Sequence, residues 1–117
     1  MKVTYLGHAC VSIEIEGKHF LVDPFISANP LASHISIDAV KADYILLTHA
    51  HADHILDAEA IAKRTGAKLI TNPEILAHYR QLGVDGHEMN IGGSHRFLDG
   101  KVKIKMIKAV HSSSFQI

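Results

Sequence analysis

The sequence lacks the features that mark several classes of protein. With one cysteine in 117 residues, it has no intrachain disulfide and no pair of thiolates for a zinc site. Its 12 Lys and Arg side chains balance 12 Asp and Glu side chains, so a basic surface for a nucleic-acid backbone is missing. No stretch approaches the roughly 20 apolar residues of a membrane span, and the first residues lack the apolar core of a signal peptide. These absences predict a cytoplasmic protein that binds neither nucleic acid nor membrane.

Histidine, in contrast, is abundant. Ten histidines are dispersed through the chain, so a purification tag does not account for them. The rest of the composition is ordinary, with 47% hydrophobic and 21% charged residues, and predicts one small folded domain over residues 1–117. The histidine content is therefore the first indication of chemistry.

Hydrophobic periodicity and turn residues predict a mixed α/β fold. Helices are expected over 53–65 and from Pro73 onward, with Asn72 as the N-cap of the second helix. Residues 26–39 are expected to form a loop that contains a short helical turn. The expected strands are 2–6, 10–15, 19–22, 44–47, 68–71, 88–91, 94–98 and 102–110.

Four side chains with metal-binding atoms follow the apolar strand expected over 44–47. They are His49, His51, Asp53 and His54. Imidazole together with carboxylate suits zinc, manganese or iron. An extended strand end would direct the first two side chains to one side, and a helical turn would direct the last two elsewhere. Two pairs that point in different directions favour a centre with two metal ions.

His111 follows the last expected strand. A side chain at this position lies where the chain leaves the sheet, which is a common place for functional groups. Its position alone leaves two alternatives open, a metal ligand and an ordinary surface residue.

The pattern His-x-His-x-Asp-His over 49–54, placed after an apolar strand, resembles the signature of the metallo-β-lactamase superfamily. Further segments resemble a family of metal-dependent hydrolases from bacteria and archaea, close to the L-ascorbate-6-phosphate lactonases. These segments are 5–10, 21–25, 43–49, 90–94 and 109–113. The similarity extends over almost the whole chain.

The resemblance implies two adjacent metal sites. It assigns His49, His51 and His111 to the first metal. It assigns Asp53 and His54 to the second metal, and it gives Asp53 a catalytic role as well. The implied cofactor is one or two divalent cations per site, with zinc expected and manganese, nickel or iron as alternatives.

Two further residues match positions near the metal centre of such folds. Asp23 would accept a hydrogen bond from a ligand imidazole and fix its tautomer, and the alternative is a turn residue before Pro24. His8 would act at the mouth of the site as a catalytic proton donor or a further ligand, and the alternative is a structural hydrogen bond. The remaining histidines are expected to be structural: His19, His34, His78, His87 and His95.

The chain departs from the family because it matches only the N-terminal half. The second half of relatives supplies an aspartate that bridges the metals and a last histidine, and neither has a counterpart here. The implied fold is thus half of an αβ/βα sandwich, one mixed sheet with helices on its outer face. Its inner face, including residues 11–15 and 44–47, would be exposed to water, and each exposed Å² forfeits about 25 cal/mol. We therefore expect a piece of a longer protein, a complementary second-half chain, or a homodimer or larger homo-oligomer.

The expected chemistry follows from the cations. A bound divalent cation lowers the pKa of water from about 15.7 toward 7 and polarises the bond under attack, so hydrolysis needs no protein nucleophile. Cys10 in an apolar strand is then a core residue rather than a reactive thiol. The prediction is a hydrolase in which metal-bound hydroxide attacks a small ester, lactone or phosphorylated molecule. The alternative is a catalytically silent metal-binding fragment or assembly module.

Overall fold

The computed structural model describes residues 1–115, which form strands, α-helices and two short 3₁₀ turns. The strands are β1 (Lys2–Gly7), β2 (Cys10–Ile15), β3 (Lys18–Val22), β4 (Tyr44–Leu46), β5 (Lys68–Thr71), β6 (Gly86–Glu88), β7 (Ser94–Phe97) and β8 (Val102–Lys105). The helices are α1 (Ala52–Ile55), α2 (Ala58–Thr65) and α3 (Pro73–Gln81), and the 3₁₀ turns are Pro30–Ala32 and Ile37–Ala39. The structure contains the expected strands and helices in the expected order, except that two helices replace the one expected over 53–65 and several ends differ.

Strands β1 to β6 form one mixed sheet in sequence order. The first three strands are antiparallel, because short turns join them, and β3 to β6 are parallel, because longer crossovers connect them. Ile45 of β4 pairs with Leu21 on one side and with Leu69 on the other. The carboxyl ends of β3, β4 and β5 therefore lie side by side at one edge of the sheet.

Local sequence signals set the ends of two helices. The Asn72 side chain accepts a hydrogen bond from the Ile75 N–H at 2.9 Å, and Pro73 occupies the first turn of α3. Gly66 ends α2 in the left-handed conformation, with a φ of 75°, which costs glycine little. None of the helices within residues 1–115 combines the length and the apolar character that crossing a membrane requires.

The single helix expected over 53–65 is two helices. α1 and α2 are separated near Asp57, whose side chain turns into the protein. Its carboxylate accepts hydrogen bonds from the N–H groups of Ile26 and Ser27 at 2.7 and 2.8 Å. These contacts draw the chain inward at this point, which is why one continuous helix does not form.

The helices pack against one face of the sheet. Leu21, Ile45 and Leu69 lie on neighbouring strands, and their side chains are completely buried on this face. Ile61 of α2 and Leu76 of α3 belong to the same buried cluster. Full burial of a side chain of this kind contributes about 1.5–3 kcal/mol. This layer is therefore a main source of stability, and it anchors the strands whose ends carry the candidate ligands.

The β7–β8 hairpin covers the opposite face of the sheet. Phe97 and Val102 of the hairpin pack with Phe20 and Ile70 of the sheet in a second buried cluster. Tyr44 stacks on Phe20 with ring centroids 4.9 Å apart. The chain thus folds back over its own sheet.

The prediction of a bare inner face is consequently wrong for most of that face. Ile45 and Leu47 point toward the helices and are buried, whereas Leu46 packs into the cluster beneath the hairpin. The exposed part is narrower and lies at β1, where Val3 and Tyr5 are 59% and 69% exposed. The alternation of side chains along a strand divides the apolar residues between two covered layers.

Two strands differ from their predicted ranges by more than one residue at an end. β6 begins at Gly86, before the expected range of 88–91, because it pairs with β5 from Leu69 onward. A Cβ at Gly86 would lie 2.1 Å from the Leu69 carbonyl oxygen, so only glycine fits this close approach. β8 ends at Lys105, short of the expected residue 110, because its partner strand begins at Ser94. Beyond the strand, Met106 still exchanges backbone hydrogen bonds with Gly92 and Gly93, at 2.7 and 2.9 Å.

Candidate metal centre

The candidate ligands lie at the carboxyl edge of the sheet. His49 and His51 are in the loop after β4, and Asp53 and His54 are in α1, which begins directly after that loop. β4 ends at Leu46, so the expected extended strand end under these ligands is wrong. The two pairs lie side by side, because the His49 and His54 rings, one from each pair, have centroids 4.1 Å apart. The helix turns back toward the loop and brings both pairs to one place.

His111 reaches the same place from the segment after β8. The Ser113 hydroxyl oxygen accepts a hydrogen bond from the Ala50 N–H at 3.0 Å, which fixes this segment beside the loop. His111 Nε2 lies 3.2 Å from His51 Nδ1, and the two rings are nearly perpendicular. One donor atom from each of His49, His51 and His111 lies within 4.8 Å of the others. Three imidazoles at this spacing can hold one cation.

One buried nitrogen of this group has no hydrogen-bond partner. His49 Nε2 is buried, and no atom of residues 1–115 donates to it or accepts from it. Buried polar atoms are ordinarily paired, so an unpaired one requires an explanation. The rings of three other histidines surround His49, with centroids 4.1 to 4.8 Å from its own. A divalent cation fits this environment, because the neutral imidazole nitrogen is a common ligand for such ions.

Asp23 fixes the orientation of two rings. The Thr48 hydroxyl donates to the Asp23 carboxylate at 2.6 Å, so its oxygen accepts a hydrogen bond from His49 Nδ1 at 2.9 Å. The same carboxylate accepts hydrogen bonds from the Thr48 N–H and from His54 Nδ1, both at 2.8 Å. Both rings therefore carry their proton on Nδ1 and keep Nε2 for a ligand. Asp23 is 2% exposed and already engaged, which is the position of a carboxylate that orients ligands.

A second group of donors lies beside the first. It consists of His8, Asp53 and His54, and one donor atom from each lies within 4.8 Å of the others. His8 Nε2 donates to Asp53 Oδ2 at 3.0 Å. This hydrogen bond is the main reason that the pKa of Asp53 is lowered, so its carboxylate is ionised at neutral pH. The group is open to solvent, since the His8 and Asp53 side chains are 43% and 52% exposed.

The electrostatics of the site favour neutral His49. Burial lowers the pKa of His49, and the nearby imidazoles of His54 and His51 lower it further. Neutral imidazole is the form that binds metal. By contrast, burial raises the pKa of the Cys10 thiol to about 12, so this thiol is protonated and does not serve as a nucleophile.

A cleft of about 780 Å³ opens beside the histidines. His49 and His111 line one side of it. Polar side chains such as Asn72 and Asn90, and apolar ones such as Ile107, line the rest. A cleft of this size and mixed lining accommodates a small organic molecule next to the donor atoms.

Sequence reasoning missed two residues that shape the site. Thr48, which is not among the predicted site residues, links His49 to Asp23. Asp57 falls within the helix predicted over 53–65, but in the structure it anchors the chain just after Asp23 through its hydrogen bonds with Ile26 and Ser27. A possible signal for Asp57 was its place as a carboxylate between apolar positions of the expected helix, where burial requires partners.

The histidines expected to be structural lie outside both donor groups. They are His19, His34, His78, His87 and His95. His19 contacts the carboxylates of Glu14 and Asp43, and His78 packs on the Phe115 ring. His87 and His95 stack on each other with ring centroids 4.1 Å apart.

Comparisons of the sequence with known proteins point in the same direction as the geometry. The family described as the metallo-beta-lactamase superfamily matches residues 3–115. A UPF0173 metal-dependent hydrolase from Flavobacterium johnsoniae is 56% identical over 115 residues, which are 98% of this chain and 50% of that protein. A UPF0173 metal-dependent hydrolase from Exiguobacterium is 47% identical over 119 residues, an alignment that covers 100% of this chain and 51% of that protein.

Solved structures show the same relationship. Igni18, a metallo hydrolase from the archaeon Ignicoccus hospitalis, is 38% identical with a TM-score of 0.85, over 95% of this chain and 49% of that one. A beta-lactamase from Chitinophaga pinensis shares the fold, with 20% identity and a TM-score of 0.62, over 91% of this chain and 48% of that one. The chain spans about half the length of the curated relatives it matches. The predicted fold class, half of an αβ/βα sandwich, is confirmed. The chain belongs to the metallo-beta-lactamase superfamily.

Proposed function

We propose that this chain carries the metal centre of a hydrolase. The observation that carries this proposal is the buried, unpaired Nε2 of His49, surrounded by other imidazoles. The similarity to proteins named metal-dependent hydrolases supports it. Balanced charge and the cleft beside the histidines favour a small-molecule substrate over a nucleic acid.

The residues have distinct roles in this proposal. His49, His51 and His111 hold a first cation. Asp53 and His54 serve a second cation, and Asp23 keeps the rings oriented through its hydrogen bonds. A divalent cation bound here supplies acidified water and polarises the bond to be broken.

The chain supplies no nucleophile of its own in this reaction. Cys10 is buried with its pKa raised to about 12, and it lies in the core rather than in the cleft. Asp53 and His8 are exposed and hydrogen-bonded to each other at the open side of the site. We assign both a catalytic role, in which the Asp53 carboxylate accepts a proton or hydrogen bond from the attacking water.

We further propose that the substrate is an ester, a lactone or a phosphorylated molecule, that the cation is zinc, and that the protein acts in the cytoplasm. A lactone follows from the resemblance of the motifs to the L-ascorbate-6-phosphate lactonases. Zinc follows from the donor set of imidazoles with a carboxylate, for which manganese, nickel and iron are the alternatives. The single, buried Cys10 agrees with a reducing compartment.

We also propose that another protein surface covers the exposed strip at β1. Val3 and Tyr5 there, and Ile107 and Val110 near the metal centre, are all more than half exposed. A homodimer or a complementary second-half chain would bury such residues. Sedimentation of the purified chain tests the homodimer, since a well-folded monomer at micromolar concentration contradicts it.

The alternative function is a silent metal-binding fragment or assembly module. The observation that favours it is that the chain spans about half the length of its curated relatives. The Asp53→Ala variant separates the two functions after zinc reconstitution, assayed with a panel of small esters, lactones and phosphorylated lactones. A hydrolase loses turnover by about 100-fold or more and keeps its circular dichroism spectrum, because general acid–base groups contribute about 10²–10⁴-fold. A silent module shows no turnover before the substitution.

A further inference from the structure

We propose that Phe115 is a positioning residue for His111. Its ring docks against His78 of α3, and this contact holds the segment 107–115 so that the His111 imidazole stays beside the other two imidazoles of the first donor group. The inference rests on the hydrolase function proposed above, in which His111 holds the first cation. It deepens that function by explaining how a ligand outside the sheet and the helices is kept in place.

The segment 107–115 has little structure of its own. It contains no strand or helix, and residues 107–114 are all exposed. Met106 is the last residue with a paired backbone, since within residues 1–115 no backbone–backbone hydrogen bond involves a residue after it. An exposed segment without such bonds opens readily. Backbone pairing therefore does not fix His111, although a metal ligand has to be held in a defined place.

Two side chains that follow His111 join the segment to the core. The Ser113 hydroxyl oxygen accepts a hydrogen bond from the Ala50 N–H at 3.0 Å. Ala50 is 2% exposed and belongs to the loop that carries two other candidate ligands. Phe115 provides the second connection, because it is partly buried whereas the eight residues before it are exposed.

The Phe115 ring has a defined docking site at α3. It lies on the His78 imidazole, with ring centroids 4.2 Å apart and an angle of 35° between the planes. It also packs against the buried cluster between the helices and the sheet. Together with Tyr79 and Leu82 it lines a hollow of about 270 Å³ on this side of the molecule. Burial of an aromatic ring stabilises such a contact.

The docking site is close enough along the chain to restrict His111. Phe115 follows His111 by four positions, and an extended chain advances at most about 3.3–3.6 Å per residue. With the ring docked and Ser113 bonded to the ligand loop, His111 Nε2 lies 3.2 Å from His51 Nδ1. The segment is thus ordered on folding, so metal binding does not carry the entropic cost of ordering it.

The simpler role for Phe115 is that of an apolar side chain that covers part of the core. That role predicts a loss of stability when the ring is removed, with no effect on metal affinity. Two observations favour positioning instead. The ring belongs to a segment that is otherwise exposed, and it lies two residues after the hydrogen bond to the ligand loop.

The test is the Zn²⁺ affinity of the metal-free chain, measured by competition with a chromophoric chelator. In Phe115→Ala, binding should weaken about 10-fold, because the docked, binding-competent segment is populated less. Phe115→Tyr keeps the ring and should bind like the wild type. Thermal denaturation of the metal-free proteins checks that each variant is folded at the temperature of the titration.

Ile37→Ala is the matched control for Phe115→Ala. Ile37 is also a partly buried side chain on the same buried cluster, but it lines neither the cleft beside the histidines nor the hollow at α3. Its removal should lower stability and leave the Zn²⁺ affinity unchanged.

A double-mutant cycle tests the docking contact itself. His78→Ala removes the ring beneath Phe115, and His78 lies outside both donor groups. The substitution should weaken Zn²⁺ binding by about 3-fold or more in the wild type but by less than about 2-fold in Phe115→Ala, because the two side chains act through one contact. Equal effects in the two backgrounds would show that this contact does not position His111.

The outcomes distinguish the positioning role from the proposed function. If Phe115→Ala binds Zn²⁺ as tightly as the wild type, the role of Phe115 is wrong and the metal centre stands. If Ile37→Ala weakens binding as much as Phe115→Ala, Phe115 acts through general stability and the role is again wrong. If the wild type binds no Zn²⁺, the proposed function fails and the positioning role fails with it.

A measurement on the wild type guards against misfolding of the variants. Proton NMR of the metal-free chain should show nuclear Overhauser effects between the Phe115 ring and the His78 imidazole, because the ring docks before any cation binds. A folded, metal-free chain without these effects overturns the inference without any substitution.

Discussion

The molecule contains two clusters of histidines that differ in their surroundings. At the carboxyl edge of the sheet, His49 and His54 are tied through Nδ1 to the buried carboxylate of Asp23, directly or through Thr48. The other cluster is the pair of His87 and His95, which stack with ring centroids 4.1 Å apart. Within residues 1–115, no hydrogen bond or ion pair joins either ring of this pair to a carboxylate.

The two clusters differ in the orientation of their rings and not in the distance between them. Both clusters bring rings to about the same distance, and burial lowers the pKa of His49 and of His87 alike. Only the first cluster has an acceptor that fixes the tautomer and leaves one lone pair in a defined direction. The stacked pair instead packs beside Phe97 and serves the second hydrophobic cluster.

The largest expected effect is on Zn²⁺ affinity. It is tested with two single variants, each of which removes one ring from one of the clusters. His49→Ala should weaken Zn²⁺ binding by more than about 100-fold, because loss of a ligand exceeds the 10–100-fold effect of its outer partners. His87→Ala should leave Zn²⁺ affinity unchanged, although it removes a histidine of similar burial. Competition with a chromophoric chelator measures both. Equal weakening in the two variants would mean that the clusters do not differ in kind.

The next largest effect on Zn²⁺ affinity is expected from a change to the Asp23 carboxylate alone. Asp23→Asn keeps the size of the side chain and suits the left-handed backbone of Asp23, where φ is 45°, but it removes one acceptor oxygen. Zn²⁺ affinity should fall by about 10–100-fold.

Asp43→Asn is the matched control for Asp23→Asn. Asp43 also accepts a backbone hydrogen bond, from the His19 N–H at 2.8 Å, and also lies near an imidazole, but it is in neither donor group. The Zn²⁺ affinity of the Asp43→Asn variant should equal that of the wild type. If both variants weaken binding equally, Asp23 acts through general stability and not through ring orientation.

The smallest effect is a pH dependence of stability from the stacked pair. Burial, and then the neighbouring His95, lowers the pKa of His87 in the folded protein below its usual value near 6.5. The unfolded chain therefore binds more protons than the folded one below about pH 6.5, so stability rises with pH there. The contribution of His87 is present above about pH 6.5 and is lost as pH falls through the lowered pKa.

Urea denaturation of metal-free protein between about pH 5 and 8 measures this dependence. His87→Gln should flatten the rise of the free energy of unfolding with pH, while His34→Gln, at an exposed position, should not. An unchanged slope in His87→Gln would show that the proton linkage arises elsewhere, for instance at His49, whose pKa is lowered for the same physical reason.

Much of the fold was predictable because it is encoded locally. The Asn72–Pro73 start of α3 and the Gly66 end of α2 follow from capping and backbone preferences of those residues. The break at Asp57 was not predictable in this way, because it depends on N–H groups of a loop about 30 residues earlier. The cover provided by the β7–β8 hairpin was missed for a similar reason, since periodicity reveals which side chains are apolar but not which layer receives them.

The sequence by itself determined the chemistry of the donors: imidazoles and carboxylates concentrated after an apolar strand, with no thiolate pair to compete. Only the tertiary structure decided which of them meet. His8 and His111 are 45 or more residues from the side chains they approach, Asp53 and His51. Contacts at such separations depend on strand order and on how the turns are held, and these arise from packing of the whole sheet rather than from any local pattern.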